Sequence, residues 1–169
     1  PEYRHHGPSI HPYVAMDALF GQLDEEDVVV TGNGSACVVS FQTANLKQGQ
    51  RLWTNSGCAT MGYDLPAAIG VWAATNGEKR IIAIAGDGSI MMNIQELQTI
   101  AGYNMPVKIF LVNNSGYVSI FQTHRNFFNG VEVGGGPKRN VTFPDFGKVA
   151  TAFGFAYLRA ESHTDVPGT

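Results

Sequence analysis

Two short polar clusters, each directly behind an apolar run, hold the residues of this 169-residue chain best suited to chemistry. Arg80 to Ala85 reads RIIAIA and is followed by Gly86-Asp87-Gly88-Ser89, while Val107 to Asn113 reads VKIFLVN and runs into Asn114-Ser115-Gly116. If both runs are strands of one open sheet, Asp87 and Asn114 converge outside the same edge, where such sheets bind ligands. One carboxylate, one amide oxygen and a backbone carbonyl are hard oxygen donors, and Mg²⁺ takes a few such donors and completes its shell with phosphate and water. Gly86 and Gly88 permit a turn and the close approach of an anion, and a helix opening after Ser89 offers unsatisfied amides and a positive dipole end. Asp87 alone repels a phosphate; with a divalent cation between them it becomes the anchor. GDGS by itself is equally a strand-to-helix turn capped by Asp, and the Asn pair one strand later is what favours the metal.

Short β-rich runs alternating with helical patterns must position these residues. Candidate strands are Asp27 to Thr31, Arg51 to Asn55, Arg80 to Ala85, Val107 to Asn113 and Phe155 to Arg159. Candidate helices are Ile10 to Leu23, Ser35 to Leu46, Met61 to Thr75, Ile94 to Tyr103 and Pro144 to Phe153. The alternation predicts an α/β fold, a parallel sheet flanked by helices on both faces. Length predicts a single domain. Gly134-Gly135-Gly136-Pro137 marks a mobile loop between Asn126 and Thr142, a candidate lid. PEYRHHGPS at the start and PGT at the end suggest a C-terminal fragment of a longer enzyme, truncated at its own C-terminus.

A net charge of −3 with scattered Lys and Arg disfavours nucleic acid. No apolar run is long enough to span a bilayer and no signal-peptide pattern is present, so the cytoplasm is the expected compartment. Cys37 and Cys58 have no ligand or disulfide spacing and are expected to be packed, reduced thiols. His5, His6, His11 and His163 show no usable spacing.

The segment Gly86 to Gly116, GDGSIMMNIQELQTIAGYNMPVKIFLVNNSG, resembles the GDG-to-NN motif of thiamine diphosphate-dependent enzymes, and the chain as a whole is most similar to their acetolactate synthase-like members. The resemblance implies the thiamine diphosphate-binding fold, with Asp87, Asn114 and the Gly116 carbonyl as Mg²⁺ ligands. Gly86, Gly88, Ser89 and Tyr117 join the cofactor-binding set. Thr31-Gly32-Asn33-Gly34-Ser35-Ala36 resembles the diphosphate loop, so Gly34, Ser35 and Ala36 would meet phosphate oxygens; an ordinary turn capped by Ser35 is the plainer reading. Ser56 to Gly70 resembles the segment in which Met61 wedges between the two cofactor rings and the Ala59 carbonyl accepts from the aminopyrimidine; the blander reading is a Met61 that merely fills a core gap. Tyr117 to Phe128 resembles the helix on the substrate side, with Ser119, Ile120 and Thr123 as candidates; His124 and Arg125 are either carboxylate contacts or a solvated face.

The resemblance further implies decarboxylation of a 2-oxo acid and ligation of the resulting enamine to a second carbonyl compound. The activating glutamate belongs to a pyrimidine-binding domain of a second subunit, so a homodimer or homotetramer is expected and this chain would not turn over alone. Interface surface is expected on Met61 to Trp72 and Ile94 to Tyr103. Branched-chain synthases carry a Trp near Thr123, and neither Trp53 nor Trp72 can be that residue, which leaves a 2-oxo acid decarboxylase or another carbon–carbon lyase or ligase open. Two readings from other classes remain: a noncatalytic subunit that keeps the fold, and a Rossmann-type nucleotide domain. Cys37 and Met91 stand against the last, because they sit where its third small residue belongs.

Overall fold

The computed structural model describes residues 7–166. His5 and His6, and the final three residues, lie outside that range. Four parallel strands, β1 (Val28–Thr31), β2 (Arg51–Trp53), β3 (Ile81–Gly86) and β4 (Val107–Val112), form one sheet in the order β2-β1-β3-β4. Seven α-helices accompany them: α1 (Pro12–Gly21), α2 (Gly34–Thr43), α3 (Asp64–Ala74), α4 (Asp87–Ile90), α5 (Glu96–Gly102), α6 (Val118–Phe127) and α7 (Phe146–Ala152).

The strands alternate their side chains between two apolar layers, which is why the central ones read as unbroken hydrophobic runs. Val29, Ile82 and Ile84 pack with Met16 and Phe20 of α1 and Ala36 and Val39 of α2. On the opposite face Val30, Ile81 and Ala83 pack with Ala68 of α3, and Ala85 joins Leu65, Leu97, Ile100 and Phe146 from α3, α5 and α7. Helices therefore cover both faces. Residues Ile81 to Ala85 are at most 1% exposed, so a single removed methylene in β3 is felt at once.

Several boundaries differ from those the sequence suggests. α3 begins at Asp64, not Met61, because Gly62 sits at φ +82, a left-handed conformation no α-helix can absorb. Helical backbone starts at Asp87 in α4 and passes through a 3₁₀ turn at Met91–Asn93 before α5, well ahead of the expected Ile94. Phe155 to Arg159 forms no strand. Its Phe155 packs into the α5/α7 cluster and its Tyr157 ring lies against Gly147 of α7, where an added Cβ would stand 3.0 Å away; Leu158 is 96% exposed. Alternate side chains thus bind the segment to α7, and the outer side of β4 has no strand partner among the described residues. Cys37 is buried as expected, whereas Cys58 is exposed, because its loop follows β2 outside both apolar layers. Among the described residues no helix is long and apolar enough to cross a membrane.

At the opposite, N-terminal edge of the sheet, Asp27 is 2% exposed and receives the Arg80 Nε–H at 2.6 Å, while Arg80 also reaches Asp24 at 3.0 Å. The same Asp27 carboxylate accepts the Asp24 N–H at 2.7 Å. Burial works against the charge of Asp27, but the Arg80 and Asp24 hydrogen bonds outweigh it and hold the carboxyl below its ordinary range. Its stabilising contribution is therefore complete above about pH 4 and is lost as pH falls through the lowered folded value. Asp27→Asn should cost about 1.5–3 kcal/mol at pH 7. Denaturant titrations should show the gap between wild type and variant closing as pH falls toward about 3; a gap that stays constant would exclude the ion pair as its source.

Candidate functional site

The carboxyl ends of β1, β3 and β4 lie side by side, in the register Thr31 to Ile84 and Gly86 to Val112, and each strand is followed by a helix amino terminus. The β1 exit is tied to β3 by the Gly32 N–H, which donates to the Ile84 carbonyl at 2.8 Å. α2 begins at Gly34, whose φ of +57 turns the chain from strand into helix. Asn33 occupies the cap position yet makes no capping bond; its Nδ2 donates instead to the Ala59 carbonyl at 3.0 Å. Ser35 is inside the helix and is not its cap. Without a side-chain cap, the first-turn N–H groups of Gly34, Ser35 and Ala36 are the α2 donors at this edge. The Ala36 side chain itself is in the core, so only its backbone can serve a ligand.

Asp87 opens α4 and is 2% exposed. Its Oδ1 accepts the Gly88 N–H at 2.7 Å and its Oδ2 accepts the Gly116 N–H at 3.1 Å, so the ends of β3 and β4 are joined through this carboxylate. Burial pushes the carboxyl above its ordinary range, and the N–H groups of Gly88 and of the Asn114 to Gly116 loop offset only part of that push. Asn113 Oδ1 accepts the Ser115 N–H at 3.2 Å, and Ser115 adopts φ +58, a tight turn that leaves Asn114 exposed at the strand end. Gly88 lies under the Tyr117 ring: a Cβ there would be 2.0 Å from Tyr117 Cε1. A Cβ on Gly86 would meet nothing within 4 Å, so open space lies directly over the end of β3.

The donor chemistry fits a hard divalent cation. Asp87, Asn114 and Gly116 bring carboxylate, amide and carbonyl oxygens to one loop pair. Among the described residues no group of three or more His, Cys, Asp or Glu side chains could hold a metal, so a cation here would depend on Asp87 with neutral oxygens.

Met61 and Gly62 form a turn beside this edge, with Met61 half-buried. The Gly62 N–H donates to Ser89 Oγ at 2.9 Å, and Asn93 Nδ2 donates to the Gly62 carbonyl at 2.7 Å. The Ser89 hydroxyl donates onward to Asp64 Oδ2 at 2.6 Å, which commits it to the protein interior and leaves the backbone as what Ser89 can offer a phosphate. Asp64 is fully buried, and burial raises its carboxyl above the ordinary range against the hydrogen bonds of Ser89 and Leu65. Sequence reasoning passed over Asp64, Asn33 and Asn93. The one available signal was an acidic residue opening an otherwise apolar helix, DLPAAIGVWAA.

α6 runs past the amino end of α2, with Ser119 Oγ 3.7 Å from the place a Gly34 Cβ would occupy. Ile120 is 42% exposed, and the Thr123 hydroxyl donates to the Ser119 carbonyl of its own helix at 3.0 Å. Arg125 faces Glu132 at 3.9 Å and the His124 ring packs edge-on against Phe128. The expected lid is fastened down at its centre: Gly135 and Gly136 are buried against Phe121, and the Gly135 carbonyl accepts the Tyr117 N–H at 2.8 Å. Only glycine fits there, since a Cβ at Gly135 would stand 2.6 Å from the Phe121 ring.

Comparison with known proteins gives this edge its context. Curated relatives include the chloroplastic acetolactate synthase of Arabidopsis thaliana, 32% identical over 95% of this chain and 24% of its own length. The acetolactate synthase large subunit of Cyanidium caldarium is 32% identical over 96% of this chain and 27% of its length. That of Parasynechococcus marenigrum is 40% identical over 86% of this chain and 23% of its length. The chain thus spans about a quarter of the relatives it matches. Residues 32–168, which begin at the β1 exit and take in every loop described above, match the model of the thiamine pyrophosphate enzyme C-terminal TPP-binding domain, and the chain belongs to that family.

Proposed function

We propose that this domain holds thiamine diphosphate by its diphosphate end through Mg²⁺, with Asp87, the Asn114 side-chain oxygen and the Gly116 carbonyl as metal ligands, within an acetolactate synthase-like enzyme. The observation that carries this reading is the 3.1 Å hydrogen bond from the Gly116 N–H to Asp87 Oδ2, which brings the two halves of the donor set into one site. Thiamine diphosphate, when bound, supplies the electron sink for cleaving a bond next to a carbonyl.

The chain's own residues bind and orient. First-turn N–H groups at Gly34, Ser35 and Ala36, and the open backbone at Gly86 with Gly88 and Ser89 behind it, receive phosphate oxygens, while Tyr117 packs over Gly88 and fixes the second loop. The Met61 turn supports the rings. The Ala59 carbonyl keeps a second lone pair beside the one taken by Asn33, and that pair would accept from a ring amine. Ser119, Ile120 and Thr123 on α6 stand where a 2-oxo acid approaches. The similarity to acetolactate synthases supports decarboxylation of a 2-oxo acid followed by carboligation as the reaction proposed for the whole enzyme. A pyrimidine-binding domain of a second subunit, in a homodimer or homotetramer, completes the site. The exposed Val38 and Phe41 of α2 and Ile120 and Phe127 of α6 suit that contact better than the expected helices do, although Tyr103 and Met92 are exposed as well.

Calorimetric titration of thiamine diphosphate into the full-length protein should show binding with Mg²⁺ and none with EDTA. Asp87→Ala should weaken it by more than about 100-fold, beyond what loss of a merely supporting group costs. Binding that ignores the metal, or no binding at all, would sink this reading. Glycine variants test the cradle separately. Gly88→Ala forces Tyr117 aside and should cost about 1–3 kcal/mol of stability together with affinity. Gly86→Ala adds a methyl to open space, so it should stay within about 1 kcal/mol of wild type in stability while losing cofactor affinity; unchanged affinity would place the diphosphate elsewhere.

A further inference from the structure

Three segments of the proposed cofactor site meet on one buried carboxyl group. Asp64 is fully buried at the start of α3. Its Oδ2 accepts the Ser89 hydroxyl at 2.6 Å, and its Oδ1 accepts the Leu65 N–H at 3.0 Å. Ser89 Oγ in turn accepts the Gly62 N–H at 2.9 Å. The β1 exit closes in from the third side: a Cβ on Gly32 would be 2.6 Å from Asp64 Oδ2 and 3.4 Å from Ser89 Oγ. Gly62 is therefore gripped at both backbone polar groups by residues that follow Asp87, its N–H by Ser89 and its carbonyl by Asn93.

An acidic residue at the start of a helix is favoured by the helix dipole, but an exposed one serves that purpose without loss of hydration. Burying it is costly unless its oxygens are met by donors. Both are met here, and the donor on Oδ2 is a hydroxyl whose other hydrogen bond sets the position of the Met61 turn.

We propose that Asp64 is a positioning residue for the ring end of the cofactor: through Ser89 it clamps Gly62, and so fixes Met61, one peptide bond away, relative to the Asp87 loop. The inference rests on the thiamine diphosphate reading above. It separates two tasks in the site. The diphosphate end depends on Asp87 and the helix amino termini, and the ring end depends on the Asp64–Ser89–Gly62 chain.

The test uses two probes with Mg²⁺ on the full-length protein, thiamine diphosphate and inorganic pyrophosphate, against wild type, Asp64→Asn, Ser89→Ala and the double variant. Asparagine can satisfy only one of the two groups that Asp64 holds, since its amide nitrogen is no acceptor. Each single variant should weaken thiamine diphosphate about tenfold, and the double variant should be no worse than the weaker single, as expected for one chain of bonds. Asp64→Asn should leave pyrophosphate affinity within about twofold of wild type and change the near-ultraviolet circular dichroism of bound thiamine diphosphate. Equal loss for both probes, additive losses, or no loss would overturn the positioning role. If Asp64→Asn fails to fold, Ser89→Ala decides, because it removes one hydroxyl and keeps the carboxyl group. A wild type that binds no thiamine diphosphate removes the parent reading and this one with it; a wild type that binds while the variants behave like it removes this one alone.

Discussion

A carboxylate buried at the end of the most buried strand is the constraint around which the rest of the molecule is arranged. Asp87 follows a strand that is sealed on both faces, and it is itself 2% exposed. Its charge has to be met where it stands. The Gly88 and Gly116 N–H groups do so, and that requirement draws the loop after β4 onto the end of β3. Phe121, Gly135 and Gly136 then pack behind the loop, so α6 and the segment beyond it are held in place by a hydrogen bond made two elements earlier. A bound divalent cation would reverse the electrostatic strain, since the same carboxylate that is costly alone is favoured beside a positive charge.

Much of this was legible in the residues, and the reasons differ by element. β1 and β3 are unbroken runs of β-branched and small apolar residues of the kind a doubly covered parallel sheet accommodates, so a parallel sheet with helices on both faces followed from pattern, whereas the order of its strands did not. The pairing of Asp87 with Asn114 and Gly116 was legible because residues able to turn tightly and donate oxygen stood directly behind two such runs. Local chemistry and global topology agreed there.

What escaped was decided at long range. Phe155 to Arg159 has a strand's composition, but Phe155 and Tyr157 find α7 and not β4, and strand propensity yields to such packing. Met61 fits a helical period; Gly62 breaks it with a left-handed backbone, and Met92 and Asn93, distant in sequence, stand where a side chain at that position would go. The glycine-rich stretch near residue 135 has the composition of a flexible loop, yet its glycines are there for close approach to an aromatic ring, not for freedom of motion. Asp64 was hidden for a similar reason, since its one informative partner, Ser89, is distant in the chain.

The outer side of β4, which has no strand partner among the described residues, has a physical consequence of its own. Val107 to Val112 is six residues of VKIFLV, with Lys108 as its single charge, no proline, and Phe110 38% exposed. Its open row of N–H and carbonyl groups is a template for another strand, and Lys108 is the one gatekeeper against edge-to-edge stacking. A strand laid along that margin would find its hydrogen-bonding groups already in line, and a second charge there would work against it.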